Sequence, residues 1–127
     1  MITGTGIDLV EVARIRAMLA KHGPRFTART FTELETAYCN AAADPAIHFA
    51  ARFAAKEAAA KALGTGLWSE AGVVWTDIEV LRAEDGRPSL QFHGKAAALT
   101  AGLRAHVSLT HTRDHAMAQV ILERLDG

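Results

Sequence analysis

The chain has 127 residues, half of them hydrophobic, which supplies one modest core and excludes a disordered segment. Fourteen basic residues balance fourteen acidic ones, so no bulk field draws it to nucleic acid or an anionic membrane, and any anion must be met by a local cluster. A lone cysteine, Cys39, excludes an intrachain disulfide and a thiolate-built metal site, and fits a reducing, intracellular setting.

Residues 1–8 carry no cationic lead before a long apolar run, so no signal peptide is expected. No stretch approaches the roughly 18 uncharged apolar residues of a membrane helix. A soluble, cytoplasmic protein of one domain, residues 1–127, is the expectation. Residues 2–9 read as a strand with Gly4 and Gly6 at alternate positions, and glycine weakens a strand unless backbone or ligand comes close there. A helix over about 11–22 follows, with Val12, Ile15 and Leu19 on one face, ended by Gly23-Pro24. Thr32-Glu33-Leu34-Glu35 is a capping-box signature opening a helix that carries Leu34, Ala37 and Tyr38. Asp44-Pro45 starts another helix, running to about Leu63 and closed by Gly64. On it Phe49 and Phe53 share a face, and Arg52 and Lys56 share the neighbouring one.

After Trp68 the period becomes two. Residues 76–82 read as a strand with Ile78 and Val80 on one face, Glu84-Asp85-Gly86-Arg87 as a turn, and Leu90 and Phe92 as the return. Residues 94–103 read as a short helix. A second hairpin follows, 106–111 and 115–123, around Thr112-Arg113-Asp114. No repeat or low-complexity linker interrupts this order. The class is α+β, helices first and antiparallel hairpins later.

Residues 52–66 are the most informative stretch, an alanine-rich helix in which Glu57 is the one carboxylate among Arg52, Lys56 and Lys61. A helix that only fills a core does not need that charge pattern; one that holds a metal and a phosphorylated ligand does. Asp8 alone reads as a cap for the helix beginning near Glu11, and Glu57 alone as an exposed pair with Lys61 one turn on. Together they have a second reading. Magnesium prefers about six oxygens and takes one or two protein carboxylates, leaving the rest to water and phosphate. Asp8 and Glu57 suffice if the strand end meets the middle of the long helix, and Lys61 then points a cation into the same space.

Gly64-Thr65-Gly66 is no Walker motif, since the lysine precedes the glycines. It also sits at a helix C-terminus, where the dipole disfavours anions, so phosphate would have to be met by loop amides and Lys61. Ser108 and His111 fall on opposite faces of a strand and make no nucleophile pair. His111 can serve as a ligand donor or as an ordinary hairpin-end histidine, and the other histidines show no metal spacing. Arg14, Arg16, Lys21 and Arg25 form a solvated face or a basic docking strip for an acidic partner.

Three blocks carry a family likeness: Gly4-Thr5-Gly6-Ile7-Asp8-Leu9-Val10-Glu11 with Arg14-Ile15; Arg52-Phe53-Ala54-Ala55-Lys56-Glu57-Ala58 through Lys61-Ala62-Leu63-Gly64-Thr65-Gly66; and Ser108-Leu109-Thr110-His111-Thr112 through Ala118-Gln119-Val120. Phe31-Thr32 with Glu35 adds to it. The chain closely resembles bacterial holo-[acyl-carrier-protein] synthases, the small type of 4'-phosphopantetheinyl transferase. The resemblance implies transfer of phosphopantetheine from coenzyme A to a serine of apo acyl carrier protein, with release of adenosine 3',5'-bisphosphate, for fatty acid biosynthesis. It implies magnesium on Asp8 and Glu57, with Lys61 as the third catalytic residue. Arg52, Lys61, Gly64, Thr65, Gly66, His111 and Thr112 then line the coenzyme A cleft, and Arg14 and Arg25 meet the acidic carrier. A homotrimer of that fold, with active sites between neighbouring subunits, is implied as well. Residues 67–75, with both tryptophans, carry no motif. The competing readings are a non-catalytic module that binds coenzyme A or a nucleotide, and a small magnesium-dependent phosphohydrolase.

Overall fold

Alanine has the best helix propensity and the smallest side chain that still has one, and both properties are used at the centre of this molecule. The computed structural model describes residues 1–64 and 72–125. Its elements are β1 (Ile2–Glu11), α1 (Val12–His22), α2 (Pro24–Thr30), α3 (Glu33–Asn40), α4 (Pro45–Leu63), β2 (Ile78–Arg82), β3 (Pro88–Phe92), α5 (Gly94–Leu99), β4 (Leu103–His111) and β5 (His115–Arg124), with a 3₁₀ turn at Trp75–Asp77. The α+β expectation is met. Among the described residues no helix is long and apolar enough to cross a membrane.

α4 is the core helix, with Ala50, Ala51, Ala54, Ala55, Ala58 and Ala59 all buried. Pro45 opens it and Gly64 closes it at φ 77°, with the Gly64 N–H on the carbonyls of Ala60 and Lys61. Against it lies an antiparallel sheet in the order β1-β5-β4. The first strand thus pairs with the last, from Gly4 opposite Leu122 to Glu11 opposite His115. Val10, Ala116, Ala118, Val120 and Leu122 face inward. The two strand glycines are explained by the same packing. A Cβ on Gly6 would lie 1.9 Å from the Ala58 carbonyl oxygen, and one on Gly4 2.0 Å from that of Ala62. Main chain meets main chain there, so only glycine fits.

Several elements depart from the sequence reading. Pro24 does not merely stop α1; it takes the first position of α2, a helix the reading missed, after Gly23 has turned the chain at φ 51°. β2 begins at Ile78 and not at Thr76, because Asp77 caps a 3₁₀ turn by accepting the Val74 N–H. α5 ends at Leu99, where the Thr100 hydroxyl bonds back to the Ala96 carbonyl. Asp44 starts α4 without a side-chain cap bond; its carboxylate holds the Arg16 guanidinium by two 3.0 Å bonds. The capping box of α3 is present, yet Leu34 and Tyr38 are exposed while Glu35 and Cys39 are buried.

Glu35 is inside because Lys56 is inside. Lys56 is wholly buried, 2.7 Å from Glu35, and also donates to the carbonyls of Trp75 (3.1 Å) and Ile78. The charge on α4 that looked superfluous to a core is therefore half internal. Burial pulls the Lys56 ammonium below its usual range despite Glu35. Beside it Glu79 accepts from Thr32 and meets His93 at 2.9 Å; these bonds outweigh burial and hold its carboxyl below the ordinary value. Cys39 is a buried free thiol, pushed up to about 12 by burial first.

Candidate functional site

Period two along β1 puts Gly4, Gly6, Asp8 and Val10 on the face that meets α4. The close approach at Gly6 thus delivers Asp8, two residues on, to the flank of the helix. Lys61 reaches across from α4, its Nζ donating to the Ile7 carbonyl at 3.0 Å and to Asp8 Oδ1 at 3.1 Å. Asp8 is not the cap of α1: Glu11 holds that position and makes no side-chain cap bond. Glu57 completes the group. Its half-buried carboxyl is raised above the usual glutamate value by burial first and by the charge of Asp8 second, with Lys61 and Arg14 acting against both. Two acids and two cations therefore share one space, and the like-charge strain between the acids is of the kind a divalent cation relieves.

An open hollow beside them is lined by Thr5, Gly6, Ile7, Lys61 and Gln119. Among the described residues no group of three or more His, Cys, Asp or Glu side chains could hold a metal. Two carboxylates with room for water and phosphate suit a hard oxygen-seeking ion such as magnesium and do not suit zinc.

The other site candidates stand elsewhere. Arg52 is buried, its guanidinium 4.1 Å over the Tyr38 ring, with Nε lacking a hydrogen-bond partner. Arg82 also donates to the Tyr38 hydroxyl, at 3.0 Å. His111, at the end of β4, lies 5.9 Å from His48 ring to ring. The Thr112 hydroxyl accepts the N–H groups of Asp114 and His115, so it shapes the turn. Gly64 is the exposed cap of α4, and Thr65 and Gly66 fall outside the described residues. Arg25 lines a groove between α1 and α2 with Met18, His22, Phe26 and Arg29. Arg14 sits apart from that groove, 5.7 Å over the Phe53 ring and close enough to Glu57 to act on its charge.

Sequence reasoning gave His48, Tyr38 and Arg82 no role. Burial first, then the charges of Arg52, His111 and Arg82, hold the His48 imidazole below its usual value, with Asp44 acting the other way. The one signal for this group was spacing, since His48 and Arg52 stand one turn apart on α4.

Residues 4–120 match the family model described as the 4'-phosphopantetheinyl transferase superfamily. The holo-[acyl-carrier-protein] synthase of Koribacter versatilis is 53% identical over 126 residues, spanning 97% of this chain and 99% of that protein. Its counterpart from Methylobacterium radiotolerans is 49% identical, over 98% of this chain and 96% of the relative. Among solved structures, the holo-(acyl-carrier-protein) synthase from Bacillus anthracis in complex with CoA (3',5'-ADP) superposes with a TM-score of 0.82 at 37% identity, over 98% of each chain. That of Neisseria meningitidis gives 0.88 at 33% identity, over 98% of this chain and all of the other.

Proposed function

We infer that this chain, which belongs to the 4'-phosphopantetheinyl transferase superfamily, transfers the phosphopantetheine arm of coenzyme A to a serine of apo acyl carrier protein. In that reaction the serine Oγ bonds to the β-phosphorus and the bond from that phosphorus to the bridging oxygen breaks. Adenosine 3',5'-bisphosphate leaves with the electron pair, and the serine proton goes to a base. The observation that carries the reading is the meeting of Asp8 with Glu57 and Lys61 beside an open hollow.

Glu57 takes the serine proton. In the metal-free protein burial and the neighbouring Asp8 both raise its proton affinity. Lys61, held at the Ile7 carbonyl, keeps an ammonium where the donor's phosphates enter and stabilises charge on the leaving group. Asp8 orients that ammonium and, with Glu57, would hold magnesium. When bound, magnesium supplies positive charge against the pyrophosphate oxygens. The Arg52 and Arg82 guanidiniums at Tyr38, with the His48 and His111 imidazoles beside them, suit a further phosphate of the donor.

The outer face of the sheet bears on assembly. Ile7, Leu9 and Met117 are 56%, 62% and 38% exposed and lie side by side, Leu9 opposite Met117. An exposed apolar face of this kind suits burial against another copy, and the homotrimer is the assembly that the family resemblance implies. A cytoplasmic location accords with the free buried thiol of Cys39. The test is to mix the protein with apo carrier, coenzyme A and magnesium and to weigh the carrier. A gain of one phosphopantetheine is expected. Bound coenzyme A without any gain would select a binding module, and free adenosine 3',5'-bisphosphate with unmodified carrier would select a hydrolase.

A further inference from the structure

The reaction has no use for Lys56, although it stands next to Glu57 in the motif. Phe49 and Phe53 interlock the first half of α4 with Phe31 and Trp75, but beyond Phe53 its buried side chains are alanines and Lys56, and methyl groups give neighbouring elements little to interlock with. Ridges and grooves normally fix how a helix is rotated about its axis, and on such a surface they are shallow. The site nevertheless needs that rotation fixed, because Glu57 and Lys61 meet Asp8 from one edge of the helix. At 3.6 residues per turn, Glu57 lies about 100° round the axis from Lys56 and Lys61 about 140°.

Two contacts stand out on this half of α4. On the β1 side, Gly4 and Gly6 bring main chain against the Ala62 and Ala58 carbonyls, which sets the distance between strand and helix. On another side the Lys56 ammonium meets Glu35 of α3 at 2.7 Å, the Trp75 carbonyl at 3.1 Å and the Ile78 carbonyl. Three acceptors from two further parts of the chain converge on one nitrogen, so a small turn of the helix disturbs all three at once. Glu35 cannot follow, since its two oxygens accept the Thr32 and Val80 N–H groups at 2.9 and 2.8 Å.

We propose that Lys56 is a positioning residue, whose buried bond with Glu35 fixes the rotation of α4 that holds Glu57 and Lys61 opposite Asp8. This rests on the transferase reading above. A buried ion pair is a weak source of stability, because desolvation offsets attraction, but it can select one arrangement among several.

Lys56→Met alone strands a charged Glu35 in the core, so the informative protein is Lys56→Met/Glu35→Gln, with Lys56→Gln, which keeps a donor for Glu35, beside it. Melting temperature, kcat, the KM for carrier and the amide spectrum are measured together. The Asp8 amide reports the contact directly, because the carbonyl of its own peptide bond accepts from Lys61. The double variant is expected to melt within about 5 °C of the native protein. Its kcat should fall at least about tenfold while the KM for carrier stays within about twofold. The Asp8 amide should move, and Lys56→Gln should lie between the two proteins. A folded double variant with native kcat and an unmoved Asp8 amide would overturn the proposal. So would failure of both variants to fold, since the pair would then hold the whole structure and not one rotation. Native protein that leaves the carrier unmodified would remove the transferase reading itself; active native protein beside an unaffected variant removes only the positioning role.

Discussion

Gly6→Ala adds one methyl group at the tightest of the described glycines. The new Cβ would lie 1.9 Å from the Ala58 carbonyl oxygen, whereas ordinary contact begins at 3.4 Å, so β1 must retreat from α4 by about 1.5 Å. No flexible side chain can absorb this, because the obstacle is helix backbone. Overpacking a core costs roughly 1–3 kcal/mol, and a backbone obstacle belongs at the upper end. At roughly 3–5 °C per kcal/mol for a domain of this size, the melting temperature should drop by about 10–15 °C at fixed protomer concentration. The same shift is half the length of the 3.1 Å contact between Lys61 and Asp8 two residues on, enough to break it. Transfer should therefore fall by about a hundredfold or more even well below the melting point, as a misplacement of about 1 Å can cost that much. Thermal melting by circular dichroism and carrier modification by mass spectrometry check the two effects. A Gly6→Ala protein that melts within about 2 °C of native and transfers at the native rate would refute the reasoning.

Glu57→Gln should abolish transfer while raising the stability of the magnesium-free protein at neutral pH. The sign follows from its raised carboxyl: above the folded value the ionised group is less welcome in the folded state than in the unfolded one, so stability is lost as pH rises through that window. Melting curves from pH 4 to 8 should show this fall for native protein and a smaller one for the variant; identical slopes would contradict it. Arg25→Glu should weaken carrier binding about tenfold by calorimetry and leave coenzyme A binding unchanged, as expected of a docking charge remote from Asp8 and Glu57. Arg14→Glu should do the same and also move the activity profile to higher pH, because Arg14 acts on the Glu57 charge; an unmoved profile would place Arg14 in docking alone. Chelation of magnesium should stop transfer, and added magnesium should restore it without refolding.

The sequence by itself settled what neighbours in the chain can settle. Thr32 with Glu35 made a capping box, Pro45 and Gly64 bounded the long helix, and alternation marked both hairpins, because each depends on groups within a few residues. Gly4 and Gly6 announced a close approach, but not of what. Only the tertiary structure decided that the first strand lies beside the last, which places Asp8 against α4 and within reach of Lys61, 53 residues away. It decided too that Lys56 is an internal charge, since burial depends on Glu35 and on the carbonyls of Trp75 and Ile78 folding over it. Pro24 shows the boundary between the two kinds of information: a proline after glycine both ends one helix and starts the next, and only the packing of Phe26 and Thr30 into the core selects the second outcome. Local hydrogen-bonding chemistry is written in adjacent residues, whereas the meeting of distant charges is fixed by how the chain buries its apolar faces.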